Sequence, residues 1–519
     1  MPTLSRRAQP ETGSPAVEGI GIGRAVVWAR EPPAPRAARS IREEHNRLAR
    51  SLARAARSVE DLVRLLPPTE AELFEPEVVI LAELGPLLLE RVDSGTSAEQ
   101  AVDESTSATP SDLLVDVRAR LLDGLAREER SVGSLLEGRD GDRVLVTEHL
   151  TPSVVASLPE RVVGIVAASE DAARPGCGFT SHAAILARGR DCPLIFTIPA
   201  VVRAIADDDV VVVDTTARPA RVHTAPDDAT LADARARREA WTRLRSEEEG
   251  HVSAPLTHLG LQVHVNIGSI YEHVPASADG IGLVRTELVF SEHTRAPSEA
   301  EQFGALRVIA RRAAGVPIVV RLFDAAPDKP LSWLSPSSPT SRGIGFLLEH
   351  PLILDAQLRA IGRASEHADL RILLPVATSA EEVDRIRRRS GRALAVGALI
   401  ESPEAIDEID SIAEAADFIC IGTNDLCATV TGQPRADSAL TVDGRILRMV
   451  ERIVEGAHAR KRRVSVCGEL AGDPHVARIL TGLGVDALSV ATAHFAKVKH
   501  SLHGLSLDDC RGVAREALA

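Results

Sequence analysis

Apolar residues recur along this 519-residue chain in two rhythms, and the switches between them divide it. From about residue 255 onward, short runs such as Val263-His-Val-Asn-Ile267, Gly280-Ile-Gly-Leu-Val284 and Pro317-Ile-Val-Val320 alternate with longer stretches of helical spacing. The series continues at 371–374, 395–400, 417–421, 464–466 and 487–490. Nearly continuous apolar runs of this length are what strands buried on both faces require. Eight strand–helix units over roughly 260 residues predict a (β/α)8 barrel, which gathers its chemistry at the C-terminal ends of its strands.

Ahead of residue 255 the pattern differs. Glu18-Gly-Ile-Gly-Ile-Gly-Arg-Ala-Val-Val-Trp28 reads as a glycine turn running into a strand, and strand-like runs resume at 143–147 and end around 209–213. Between them, Ile41, Leu48, Leu52, Ala55, Val59, Leu62 and Leu65 keep helical spacing, as do Leu73, Val78, Leu81 and Leu84. The expected fold class is therefore α/β and multidomain. A polar, Pro/Gly-rich segment over 1–15 reads as a disordered tail, and 16–30 plus 140–225 as an α/β domain interrupted by a helical insert over 31–139. An Ala/Arg/Glu-rich solvated linker helix is expected over 226–254, and the barrel over 255–519.

Composition narrows the function classes. A net charge of −14 argues against the broad basic face that nucleic acid or an anionic membrane would need, while 44% apolar and 26% charged residues suit packed cores. The six cysteines, at 177, 192, 420, 427, 467 and 510, form no CxxC pair and no metal-type spacing. With no apolar signal core and no run of about eighteen apolar residues, a cytoplasmic location is expected.

One candidate site precedes the barrel. In Gly176-Cys-Gly-Phe-Thr-Ser-His182 a small-residue turn delivers a histidine to the start of an apolar helix, between strand-like runs at 162–167 and 192–196. The glycines let backbone N–H groups approach an anion, Thr180 and Ser181 can cap the helix, and the helix N-terminus favours added negative charge. A histidine so placed can carry a phosphoryl group. A second set follows the barrel runs: Arg285, Arg321 with Lys329 beyond it, Glu401, Asn424, Asp425 and Cys467. Arginine grips a dianionic phosphate by paired hydrogen bonds, Glu401 and Asp425 offer hard oxygen ligands for Mg2+, and Cys467 ahead of Gly468 suits a proton donor.

The Gly-Ile-Gly-Ile-Gly start, the helical insert, Thr-Ser-His182, Gly-Leu-Val-Arg285-Thr-Glu, Ile-Glu401-Ser-Pro, Ile-Gly-Thr-Asn424-Asp425-Leu and Cys467-Gly-Glu-Leu-Ala-Gly-Asp473 occur in that order. Together they resemble enzyme I of the bacterial phosphotransferase system, within the phosphoenolpyruvate (PEP)-utilising enzymes, over about residues 17–505. The resemblance implies that PEP binds at the barrel rim with Mg2+ on Glu401 and Asp425. Arg285, Arg321 and Lys329 would hold the phosphate, with Arg342 a further residue on that side, while Asn424 and Arg435 would steady the phosphate and carboxylate ends. His182 would attack phosphorus and Cys467 would protonate the enolate. The α/β domain would then swing to an HPr-like histidine phosphocarrier protein docked on the helical insert, and the barrel would form a homodimer.

Some positions depart from that pattern: Cys177 and Phe179 before the histidine, Ala326 and Pro327 in place of paired glycines, and Gly345 at a second arginine position. The alternative implied is a catalytically weak paralogue acting as a phosphorylation-dependent regulator. Pyruvate phosphate dikinase and PEP synthase share the histidine domain and barrel, but require an ATP-binding domain ahead of the histidine that this sequence does not show. A barrel lyase with an unrelated front half would leave His182 dispensable.

Overall fold

A computed structural model describes residues 10–28, 40–66, 71, 73–106, 112–126, 132–169, 181–291, 293, 295–324, 331, 333, 342–391, 394–432 and 442–519. The chain forms two compact units, Met1–Arg243 and Leu244–Ala519.

In the first unit, seven strands close into a barrel: β1 (Glu11–Val17), β2 (Ile20–Trp28), β3 (Arg143–Thr147), β4 (Val162–Ala168), β5 (Leu194–Thr197), β6 (Val210–Asp214) and β7 (Ala220–Thr224). Strands β2, β3, β4 and β5 run parallel, and β1, β6 and β7 close the barrel through antiparallel pairs. Ala25, Val144, Val146, Val166, Ile195, Val211 and Val222 fill it. The tail expected over 1–15 is corrected at its end, because 11–15 belong to β1. Ring closure explains the difference: a polar segment gains two antiparallel neighbours at once, Gly13 sits against Phe196 O where a Cβ has no room, and Pro15 adjoins a register shift that accommodates its missing N–H.

The helical insert is present among the described residues as Ile41–Leu65, Glu75–Asp93, Ala98–Thr106, Asp112–Ala126 and Val132–Leu135. Ser40 and Glu43 cap the first helix reciprocally, and Leu48, Ala55 and Val59 are buried along it. The second helix is rotated from its expected face. It buries Glu77, Leu81, Gly85, Leu88 and Val92, whereas Val78 is exposed. Arg120 is the cause, for its Nε lies 3.1 Å from Glu77 and its Nη2 3.4 Å from Asp116, drawing both carboxyls inside. Asp116 also accepts from the backbone N–H of Ser153 at 3.1 Å, tying the insert to helix Pro152–Ala156.

Glu77 carries a pH prediction. Burial, followed by repulsion from Asp116, pushes its carboxyl up to about 9. An unfolded glutamate titrates near about 4.3, so Glu77 adds stability that is whole below that pH and is lost as pH rises toward its folded value. Glu77→Gln should therefore raise the melting temperature of the full-length protein more at pH 8.5 than at pH 5. An equal or larger gain at pH 5 would contradict this.

The expected linker forms helix Asp228–His251. It is less solvated than its composition suggests, since Leu231 and Ala234 pack on Ile20, Ile22 and Val212, and Arg237 pairs with Asp214 at 2.6 Å.

The second unit is a closed, all-parallel barrel of eight strands: β8 (Gln262–Ile267), β9 (Ile281–Arg285), β10 (Ile318–Arg321), β11 (Leu370–Leu374), β12 (Val396–Ile400), β13 (Phe418–Gly422), β14 (Arg463–Cys467) and β15 (Ala487–Ala491). Each strand coincides with an expected run. Outward-facing Val263, Val265, Ile318, Val320, Ile419 and Ile421 pack with helix residues such as Leu354, Ile361 and Val450 in one large core.

Candidate active site

The two candidate sets lie on separate units. On the first, His182 opens helix His182–Gly189 and is 8% exposed. Ser181 is the N-cap, in extended backbone conformation, and its hydroxyl accepts from the Ala184 N–H at 3.2 Å. The histidine thus starts a capped helix, where the N-terminal dipole favours an anion. Gly176, Cys177, Gly178, Phe179 and Thr180 lie outside the described residues.

On the second unit, strand ends bring the remaining residues together. Arg285, Arg321 and Cys467 terminate β9, β10 and β14, Glu401 follows β12, and Asn424 and Asp425 open helix Thr423–Thr431 directly after β13. With Leu283, Leu399, Gly422 and Gly468, these six line one open pocket enclosing about 340 Å³ out to its mouth. Lys329 and Arg435 fall outside the described residues.

Charge is packed tightly around that pocket. Arg321 is 3% exposed, paired with Glu287 and 3.6 Å from Asp324. Burial works against its charge, but Glu287 and Asp324 outweigh it and hold the guanidinium's pKa above its ordinary value. Arg342 bridges two carboxylates, Nη2 lying 3.1 Å from Asp324 and 3.2 Å from Asp425. Burial opposes the charge on Asp324 as well, yet Arg321 and Arg342 keep its carboxyl below the usual range. Among the described residues Arg285 has no ion pair, and Arg321 Nε and Glu287 Oε2 are buried without hydrogen-bond partners. Buried polar groups of this kind call for a bound ligand or ordered water.

Glu401 shows the opposite balance. Burial first, then repulsion from Asp425 and a hydrogen bond with it, raise its carboxyl well above the ordinary range. Its Oε1 accepts from the Val376 N–H at 2.9 Å, and Val376 holds a φ of 51°, a costly conformation for a β-branched residue. Gly422 keeps the space open, since a Cβ there would stand 2.8 Å from Glu401 Oε2. Two hard carboxyls in mutual contact, one raised by burial and then by the other, suit a divalent cation that prefers few protein ligands. No larger cluster of three or more His, Cys, Asp or Glu fit for a metal occurs among the described residues.

Cys467 forms the thiol wall. Its sulfur is 3.3 Å from Cys420 Sγ and 3.6 Å from the Ile421 carbonyl oxygen. Gly468, at φ 121°, leaves no room for a side chain beside Thr423 and Asn424. The Asn424 Oδ1 in turn accepts from the Glu469 N–H at 2.9 Å, which fixes its amide.

Three family models tile the chain. PEP-utilising enzyme, N-terminal, matches 12–113; PEP-utilising enzyme, mobile domain, matches 139–218; and PEP-utilising enzyme, PEP-binding domain, matches 245–507. The chain belongs to the PEP-utilising enzymes. Among relatives of this family, a phosphoenolpyruvate-protein phosphotransferase of Haloferax volcanii is 31% identical over 86% of this chain and 84% of its own. One from Bacillus sp. (strain S) is 28% identical over 98% of this chain and 95% of its own. A multiphosphoryl transfer protein of Xanthomonas campestris pv. campestris is 28% identical over 99% of this chain and 67% of its own. Among the described residues no helix is long and apolar enough to cross a membrane.

The sequence alone assigns no role to Glu287, Asp324, Val376 or Cys420. The spacing Arg321-x-x-Asp324 could have signalled the first ion pair of the rim, because both residues leave the same strand end. Contacts between neighbouring strands, Arg321 with Glu287 and Cys467 with Cys420, had no such local signal.

Proposed function

We propose that this chain is a phosphoenolpyruvate–protein phosphotransferase: it moves the phosphoryl group of PEP to His182, then to a histidine of an HPr-like phosphocarrier, and releases pyruvate. One observation supports this reading above others, the convergence of two arginines, two carboxyls, an amide and a thiol on one pocket at the barrel rim. Arg285 and Arg321 would bind the dianionic phosphate, with Lys329 and Arg342 beside them and Asn424 steadying it, while Arg435 would take the carboxylate. Glu401 and Asp425 would hold Mg2+, which would supply charge neutralisation when bound.

A neutral ring nitrogen of His182 attacks phosphorus in line, and the bond from phosphorus to the enol oxygen breaks with its electron pair staying on oxygen. The Cys467 thiol then gives its proton to the terminal carbon, completing pyruvate. Because His182 and the rim belong to separate compact units, the histidine-bearing unit must visit the barrel and then the carrier, with helix Asp228–His251 as the connecting arm. The family resemblance extends this to a pair of chains joined through their barrels. Nothing in the site favours the regulator reading over this one.

His182→Ala tests the proposal against a barrel-only lyase. Pyruvate formation from PEP, followed in the presence of a histidine phosphocarrier, should fall to background in a protein that still melts cooperatively. Retained pyruvate formation would overturn the phosphotransferase reading.

A further inference from the structure

Cys420 takes no part in the phosphoryl transfer proposed above, yet it touches the residue assigned the protonation. Both side chains face the interior of the barrel, where they pack with Leu283, Leu399 and Leu373. Their strands are hydrogen-bonded neighbours, with Cys420 opposite Ser465 and Cys467 opposite Gly422, so the thiols meet across a diagonal of the ladder with sulfurs 3.3 Å apart. Access to the two is unequal. Cys467 is part of the wall of the open pocket, whereas Cys420 is fully buried behind it. The other described cysteines, Cys192, Cys427 and Cys510, are buried away from this pocket.

We propose that Cys420 and Cys467 form a two-thiol oxidation site, closed as a disulfide by a peroxide that enters the substrate pocket. The pocket admits the oxidant to Cys467 first, because that thiol lines the open pocket and Cys420 does not. Cys467 sulfur attacks one peroxide oxygen, the O–O bond breaks, and the departing hydroxide takes the thiol proton as water, leaving a sulfenic acid. Cys420 sulfur then attacks that sulfur, the S–S bond forms, and the sulfenic oxygen leaves with the Cys420 proton as a second water. Two thiols and one hydrogen peroxide thus become one disulfide and two waters, the sulfurs losing two electrons and the peroxide gaining them.

The sulfurs need approach each other by only about 1 Å to bond. The Cys467 sulfur of the bridge faces the open pocket, within reach of small thiols, so the modification is reversible by thiol exchange. Its effect on catalysis rests on the reading of Cys467 as the proton donor, because the bridge consumes that S–H; the bridge itself does not depend on that reading.

The test treats the full-length protein with a slight excess of hydrogen peroxide, blocks residual thiols with an alkylating agent, and maps peptides by mass spectrometry without reduction. The expected result is a peptide pair linked between Cys420 and Cys467, two hydrogens lighter, with at least a ~10-fold loss of PEP-dependent pyruvate formation that dithiothreitol reverses. Cys420→Ser should start with ordinary activity and show neither the link nor the reversible loss, and Cys420→Ala provides the same control should serine disturb the apolar interior. Absence of the linked pair in wild type, with Cys467 unmodified or driven to sulfinic acid as fast as in the Cys420 variants, would overturn the proposal. A complete link with undiminished pyruvate formation would support the thiol site and overturn the assignment of Cys467 as proton donor.

Discussion

Glu401→Gln is expected to lower PEP-dependent phosphorylation of His182 by about 10³-fold or more, which corresponds to about 4 kcal/mol of lost transition-state stabilisation. It should do so without unfolding the barrel. Glu401 is buried, and its ionised form is disfavoured by that burial and by Asp425, so a neutral amide of the same shape removes a destabilising charge. The glutamine oxygen can still accept the Val376 N–H that Glu401 Oε1 accepts now. The sign of the pH effect follows. A carboxyl raised above its unfolded pKa contributes stability below that value and loses it as pH rises, so the thermal gain of Glu401→Gln should grow from pH 5 to pH 8. Two labelling routes isolate the functional defect. Label supplied from PEP should be lost, while label supplied backwards from a phosphorylated carrier should still reach His182, because that route needs only the first unit. Loss of both would contradict the assignment of Glu401 to the PEP half-reaction.

Cys467→Ser should have the second largest effect, about 10²–10⁴-fold on pyruvate formation, the usual scale of a positioned general acid. Serine is nearly isosteric, and Gly468 and the neighbouring Cys420 leave the fold around it unchanged in shape. A hydroxyl is a far weaker acid than a thiol, so the enolate is left to take its proton from water. Stereochemistry provides the clearer readout. With PEP carrying deuterium at one vinylic position of its terminal carbon and tritium at the other, wild type should add the proton to a single face and give pyruvate with a chiral methyl group, and Cys467→Ser should give pyruvate whose methyl group is racemic. Full stereoselectivity in the variant would assign the proton delivery to another group.

Much of this architecture could be read from the chain, for identifiable physical reasons. Strands buried on both faces need nearly continuous apolar runs, which is why β8 to β15 fall where the runs do. Parallel order in a closed barrel then places the residue after each run at one rim, which is why Arg285, Arg321, Glu401, Asn424, Asp425 and Cys467 share a pocket. What escaped were features decided by tertiary pairing. Glu77 reads as an exposed helix position, and only Arg120 and Asp116 from another helix make it a buried one. The segment 11–15 reads as a tail by composition, and only ring closure between β5 and β7 makes it a strand. Glu287 and Asp324 stood beside predicted site residues, but their work is to hold Arg321 and Arg342 in charged, oriented form, and that is visible only across strands.

Charging of His182 from PEP at the barrel pocket is the step on which the proposed function rests. It is tested most directly by incubating the purified protein with PEP labelled in its phosphoryl group and Mg2+, without carrier, and mapping the label. The expected result is one acid-labile, base-stable phosphoryl group per chain, located on His182 and absent from His182→Ala. A folded wild-type protein that takes up no label, or that carries it on a residue other than His182, would contradict it.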